Sequence, residues 1–243
     1  RKNLYLVASF LLMSSISFAG GDMHYSKNRA EKTYRHNEAP DLDYQSQLRN
    51  HYAWKNFRSH HGEWWVQFNE ENRKPHRAFG VPISVAGATA EQKAMNFIQF
   101  NLNEFKIPVS ELVLSNTYQN EKHQFVNYYQ VHDGLRVLDS RMTVKLSNQG
   151  QVIMFGADVY NDVHVDTHPT ISHAGAISAA TSGITGKVIT NSTVNSNLFI
   201  LPTPYFKSSV FHLVYEVNVE TDANGIPANY YTLVDAHTGE VLY

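Results

Sequence analysis

The sequence predicts an α+β protein: two modules, each a helix on an antiparallel sheet, behind a signal peptide and a flexible leader. Three observations predict it. A capped amphipathic helix beginning at Thr89 is followed by a run of strands. The order helix, strand, turn, strand then repeats from Ser172. Phe211, Leu213, Tyr215, Val217 and Val219 alternate with their neighbours, which marks a strand in the second copy. Runs of strands after a helix suit this class. The expected boundaries are 1–19 for the signal peptide, 20–61 for the polar leader, 62–167 for the first module and 168–243 for the second.

The N-terminus reads as an address. Arg1 and Lys2 precede an apolar run from Leu4 to Met13, broken only by Ser9. Ser17 and Ala19 stand at −3 and −1, which places cleavage after Ala19. The run is about half the length that crosses hydrocarbon, and no other stretch is long enough. The expected location is therefore secreted, extracellular or periplasmic, with no membrane contact in the mature form. With no initiator Met, the chain reads as trimmed or as a fragment.

From Gly20 to about Pro40 the chain is polar and aperiodic. Leu48, Tyr52 and Phe57, with Trp54 nearby, outline a helix between Leu42 and Phe57. Trp64 to Phe68 is rich in strand formers. Asn69 to Arg77, with Pro75 and several charges, reads as a turn and loop. Thr89 and Gln92 have the capping-box spacing, and Met95, Ile98, Leu102 and Phe105 share one face up to a stop at Pro108. Gln124 to Val131 is a strand, and His132-Asp133-Gly134 turns it. Met142, Val144 and Leu146 alternate with Thr143 and Lys145. Asn148-Gln149-Gly150 turns the chain back into Gln151 to Phe155.

In the second half, Ser172 caps a small-residue helix to Ser182, with Ala174, Ile177 and Ala180 spaced by three. Leu198 to Leu201 is a short strand ended by Pro202 and Pro204. The alternating strand Phe211 to Val219 turns at Asp222 to Gly225 and returns as Tyr230 to Val234. His237-Thr238-Gly239 turns once more into Val241-Leu242.

Composition excludes several functions. The balance of 20 basic to 22 acidic residues gives no field that steers the chain to nucleic acid or an anionic membrane. With no Cys, disulfides, thiolate metal sites and cysteine nucleophiles are ruled out; an exported chain without Cys suits a bacterial source. No His is followed by Glu, so the zinc-peptidase helix is missing, as is the Gly-x-Ser-x-Gly elbow. Gly183 to Lys187 resembles a phosphate loop only superficially: Thr181 and Val188 stand where Gly and Ser or Thr are needed.

Asp162, His164, Asp166 and His168 lie two apart, so on a strand all four share one face, opposite Val163 and Val165. They are a metal-ligand candidate, weighed against a plain wet strand face, which is the favoured reading. His60-His61 reads as a solvated pair, and His123 and His237 as structural residues beside turns. Trp64-Trp65 reads as core and edge cover. No catalytic, cofactor-binding or metal residue is assigned.

Two segments resemble a known family. His123-Gln124-Phe125-Val126-Asn127-Tyr128-Tyr129-Gln130-Val131-His132-Asp133-Gly134-Leu135-Arg136-Val137, with Ser140 and the strand Arg141 to Leu146, resembles the FTP module, the fungalysin/thermolysin propeptide motif. Leu135-Arg136 departs from the Ile-Pro or Leu-Pro pair commoner there. Phe211 to Val217, followed by Tyr231-Thr232-Leu233-Val234-Asp235-Ala236-His237-Thr238-Gly239-Glu240-Val241-Leu242, resembles the closing hairpin of a PepSY-type pro-region. Gly62 to Gly80 is similar to the family's N-terminal strand and loop.

The resemblance spans about residues 62 to 243, so 62–167 is FTP-like and 168–243 PepSY-like. It implies the pro-region of a secreted thermolysin- or fungalysin-type zinc metallopeptidase: an intramolecular chaperone and inhibitor of a catalytic domain in cis, itself not an enzyme. Zinc, with calcium left open, is expected in that downstream domain and no cofactor in this chain. The chain stops where the family's pro-region gives way to the mature enzyme. A free-standing secreted peptidase inhibitor or binding module of the same fold is the alternative, and pro-region-like modules on a non-peptidase are a third.

Overall fold

The computed structural model describes residues 39–243. The expected signal peptide and the leader up to residue 38 lie outside them. The first described elements are two short helices, α1 (Leu42–Asn50) and α2 (Tyr52–His61). Asp41 caps α1, its Oδ1 accepting from Tyr44 N at 3.0 Å. His51 leaves helical geometry and caps α2 through Nδ1. Gly62, at φ 80°, ends it. Leu48, Ala53, Trp54 and Phe57 are all buried in the first core. Residues 42–61, expected within a polar leader, thus belong to the folded first half. Leu48, Trp54 and Phe57 turn inward while Leu42 and Tyr52 stay exposed, and burial of such large apolar side chains stabilises by about 1.5–3 kcal/mol each.

The strands are β1 (Trp64–Phe68), β2 (Pro75–Ile83), β3 (Leu112–Gln119), β4 (His123–His132), β5 (Leu135–Val137), β6 (Arg141–Ser147) and β7 (Val152–Asp158). Helix α3 (Ala90–Asn101) starts as expected, with Thr89 accepting from Gln92 N at 3.2 Å; Gln92 reaches back to Ala88 N rather than to the cap itself. It ends well before Pro108. Leu102 and Phe105 enter the core from a following 3-10 turn, Asn103–Phe105. Phe97, Ile98 and Leu102 pack over Val126, Met142, Val144, Leu146, Val152 and Phe155. The Phe155 ring lies 5.3 to 5.7 Å from those of Phe57, Trp64 and Phe97.

The second half comprises α4 (His173–Ser182), β8 (Val188–Tyr205), β9 (Ser208–Ala223) and β10 (Ile226–Asp235). Ser172 caps α4 through Gly175 N at 3.2 Å. Of the expected row, Ala180 is buried and Ile177 packs partly on the core, but Ala174 is exposed and Ala176, one turn before Ala180, takes its place. Without bulk, Ala176 and Ala180 let the helix lie close over Leu213, Tyr215, Val217, Val219 and Val234.

The sheet differs from the expected pair of antiparallel modules. Ten strands form one continuous sheet, in the order β1-β2-β7-β6-β4-β5-β8-β9-β10, with β3 also on β4. Strand β4 belongs to both halves. Residues 124–130 pair with β3, and Val131 and His132 pair with β5. In turn β5 runs parallel to β8, Arg136 opposite Phe199 and Val137 opposite Ile200. A three-residue strand is too short to show periodicity, so this parallel joint leaves no pattern in the sequence.

Pro202 and Pro204 do not end β8; they pair opposite Phe211 and Ser209. Lying two apart, they face the same way, and beyond Ile200 β5 no longer pairs. A strand edge without a partner tolerates the missing N–H groups. Val241 makes only an isolated bridge to Val234 in place of a last strand.

Candidate binding face

All the described helices of the first half cover one side of its sheet. Along β4 the inward residues are Val126, Tyr128 and Gln130, so Phe125, Asn127 and Tyr129 point to the other side. The strand registers there place Trp65 opposite Phe79, Phe79 opposite Met154, Met154 opposite Lys145, Lys145 opposite Phe125 and Phe125 opposite Tyr118. These six residues form a transverse row across six strands. Trp65 is 72% exposed, Tyr118 59% and Phe79 51%. The Lys145 ammonium sits 5.2 Å from the Phe125 ring, whose centroid is 6.1 Å from that of Tyr118.

A polar row runs beside it. Thr143 Oγ1 donates to Asn127 Oδ1 and Asn127 Nδ2 to Asn116 Oδ1, each at 2.8 Å. Gly156 and Arg77 lie on the same side, toward β1. Neither row includes a carboxylate. His123, near the end of the apolar row, is held below the usual imidazole range by desolvation and the charges of Lys145 and Lys122. Aromatic surface with cations and no anion suits a protein partner with apolar and acidic groups.

The closing hairpin of the second half folds as its residues predict. Asp235 Oδ1 accepts from His237 N at 2.9 Å and Thr238 N at 2.8 Å, and Gly239 takes φ 74°. Asp235 Oδ2 accepts from His212 Nδ1 at 2.9 Å. Burial alone would raise the Asp235 carboxyl; the Thr238 N–H, the His212 ring and the His237 N–H together hold it below its usual range.

The metal candidates are not brought together. Asp162, His164, Asp166 and His168 lie in an irregular connection, although Val163 and Val165 do turn inward as the alternation predicts. Asp162 accepts from Asn161 at 2.9 Å, and Asp166 pairs with the exposed His168 at 3.1 Å. Among the described residues, no group of three or more His, Asp or Glu converges.

His60 and His61 differ from a simple solvated pair. His61 lies half-buried against Phe57, with ring centroids 4.7 Å apart, and desolvation and the charge of His60 lower its pKa. His237 donates through Nε2 to Asp166 O, at 3.0 Å, beside its turn. Lys187, in the loop that resembles a phosphate loop, lies over Tyr230 and bonds its hydroxyl. Trp64 is buried and Trp65 open. The transverse row itself left no signal in the sequence, because it exists only once the registers of six strands are set.

No protein-family model matches the chain, and no curated protein matches it in sequence. The likeness to the two pro-region motifs therefore rests on their own residues. Among solved structures, the C-terminal domain of YpeB from Bacillus megaterium aligns with 84% of this chain and 96% of its own, at 14% identity and a TM-score of 0.32. At that level the two chains follow loosely similar paths only. No helix among the described residues is long and apolar enough to cross a membrane.

Proposed function

We propose that this chain is the pro-region of a secreted zinc metallopeptidase precursor of the thermolysin or fungalysin type, and that its open sheet face binds the catalytic domain in cis. The reading is supported above all by the transverse row of Trp65, Phe79, Met154, Lys145, Phe125 and Tyr118. An exposed apolar row of this extent is what a protein-binding surface needs and a solitary surface avoids. It lies within the segment that resembles the pro-region family.

The physical logic follows from linkage. A segment that binds the folded catalytic domain, and not its unfolded chain, stabilises that fold by mass action. Covalent connection raises its effective concentration to the millimolar range. Covering the substrate cleft then blocks activity until the connection is cut. Zinc, in this reading, is held by residues of the catalytic domain. The gene beyond the codon for Tyr243 tests the proposal: an in-frame His-Glu-x-x-His with a downstream Glu supports it, and an immediate stop codon overturns it.

A further inference from the structure

The connection between β1 and β2 folds tightly upon itself. Asn69 Oδ1 accepts from Glu71 N at 3.0 Å and Asn72 N at 3.3 Å, and Arg73 takes φ 59°. Asn72 Oδ1 then accepts from Lys74 N at 2.9 Å. That bond commits the oxygen of Asn72 and leaves its Nδ2 buried with no acceptor. Lys74 follows, only 3% exposed. Its ammonium carries three donors, and among the described residues it has one hydrogen-bond acceptor, Asn161 Oδ1 at 2.5 Å.

Both groups line a cleft of about 610 Å³, bounded by α1, α2, this turn, the 159–162 segment and the tip of the β8–β9 hairpin. Arg73 and Lys106 line it too. Lys207, on the opposite wall, is already committed to Asp41 at 3.1 Å and Glu70 at 2.7 Å. Asp162 and Glu104 are the nearby carboxylates with Glu71, whose Oε2 accepts from Ser209 at 3.3 Å. Burial pushes the Lys74 ammonium down to about 8, against the pull of Asp162 and with the help of Lys106.

We propose that this cleft is an oxyanion site, in which Lys74 Nζ and Asn72 Nδ2 donate to a carboxylate or phosphate group. Among the described residues Lys74 has more donors than acceptors and Asn72 Nδ2 has no acceptor, so even with Asp162, Glu104 and Glu71 in the lining these two groups ask for a ligand that accepts. An ionised oxyanion does so and also neutralises the ammonium. A metal cation is repelled by the same groups. The cleft is wide enough for more than the anion, so the group is carried on a larger molecule or peptide. This site is separate from the open sheet face and stands or falls without it.

The test follows the Lys74 side-chain signal of the lysine-labelled full chain by NMR. Inorganic phosphate or acetate is added at ionic strength held constant with chloride. A saturable shift, with the Lys74 pKa raised by a unit or more, supports the site. Saturation by phosphate alone marks a phosphate-bearing ligand; saturation by acetate also marks a carboxylate. Asn72→Asp keeps the acceptor for Lys74 N, removes the orphan donor and abolishes the shift. Lys74→Met abolishes saturable binding of phosphate, followed by phosphorus NMR, while Lys122→Ala leaves it unchanged. Shifts that never saturate, or saturable binding that survives both Asn72→Asp and Lys74→Met, overturn the proposal.

Discussion

The side-chain amide of Gln130 closes a two-bond ring with the backbone of Tyr160. Its Oε1 accepts from Tyr160 N at 2.8 Å and its Nε2 donates to Tyr160 O at 2.5 Å. Gln45 does the same to Phe68, at 3.0 and 2.9 Å. Both glutamines are buried, and each takes the place of a neighbouring strand where the sheet gives out. Gln130 N also donates to Ser140 Oγ at 2.9 Å, so two residues of the resembled motif serve the fold rather than chemistry.

Gln130→Leu removes both bonds that the Gln130 amide makes to the Tyr160 backbone. The expected loss is about 2–4 kcal/mol, and Gln45→Leu costs about 1–3 kcal/mol. Urea unfolding followed by circular dichroism checks both. A loss below about 0.5 kcal/mol for Gln130→Leu would remove the account of this contact.

Trp64 and Trp65 are neighbours with opposite fates, buried at 3% and exposed at 72%. Trp64→Ala is expected to cost about 3–5 kcal/mol through the cavity it leaves. Trp65→Ala stays within about 0.5 kcal/mol. Iodide should quench Trp65 and spare Trp64 and Trp54, which the fluorescence of single-tryptophan variants measures directly.

Two glycines separate close approach from ordinary helix content. A Cβ at Gly156 would stand 2.4 Å from His76 O, so β7 and β2 must part. Gly156→Ala should lower stability by about 1–3 kcal/mol. Gly175, inside α4, has its nearest obstacle at 3.6 Å. Gly175→Ala should raise stability by about 0.5–1 kcal/mol through helix propensity. Matching changes in both variants, read from thermal melts, would contradict the register of β2 on β7.

Lys74 predicts an alkaline gain in stability. Its folded pKa is about 8 against a usual 10.5, so the unfolded chain binds more protons between those values. Stability therefore rises with pH from about 8, by up to about 1.4 kcal/mol per pH unit. Above about pH 10 Tyr128, which burial pushes up to about 12, and Tyr231, also raised, take the gain back. Lys74→Met should flatten the rise between pH 8 and 10. Urea midpoints across that range provide the check.

Local signals carried much of the fold. The caps at Thr89 and Ser172 and the alternation at Met142 to Leu146 and Phe211 to Val219 each depend on neighbours in the chain, and each stands as expected. What was illegible depends on partners far away. The helix expected between Leu42 and Phe57 is there as α1 and α2, but its place in the first core stayed hidden because only a few of its residues face inward. The prolines of β8 looked like stops because nothing local reports an open edge. The joint of β5 with β8 and the row from Trp65 to Tyr118 follow from register alone. Lys74 looked like a loop charge because its burial comes from the 159–162 segment and the surrounding core.

The central claim is that the open face holds a thermolysin-type catalytic domain. Inhibition in trans tests it most directly. The chain from Gly20 onward is mixed with the mature zinc metallopeptidase of the same source, and peptide hydrolysis is followed. The account predicts saturable inhibition that weakens about tenfold or more when Trp65→Ser and Phe79→Ser are combined, with the unfolding midpoint unchanged. No inhibition by the unaltered chain, or equal inhibition by the double variant, contradicts it.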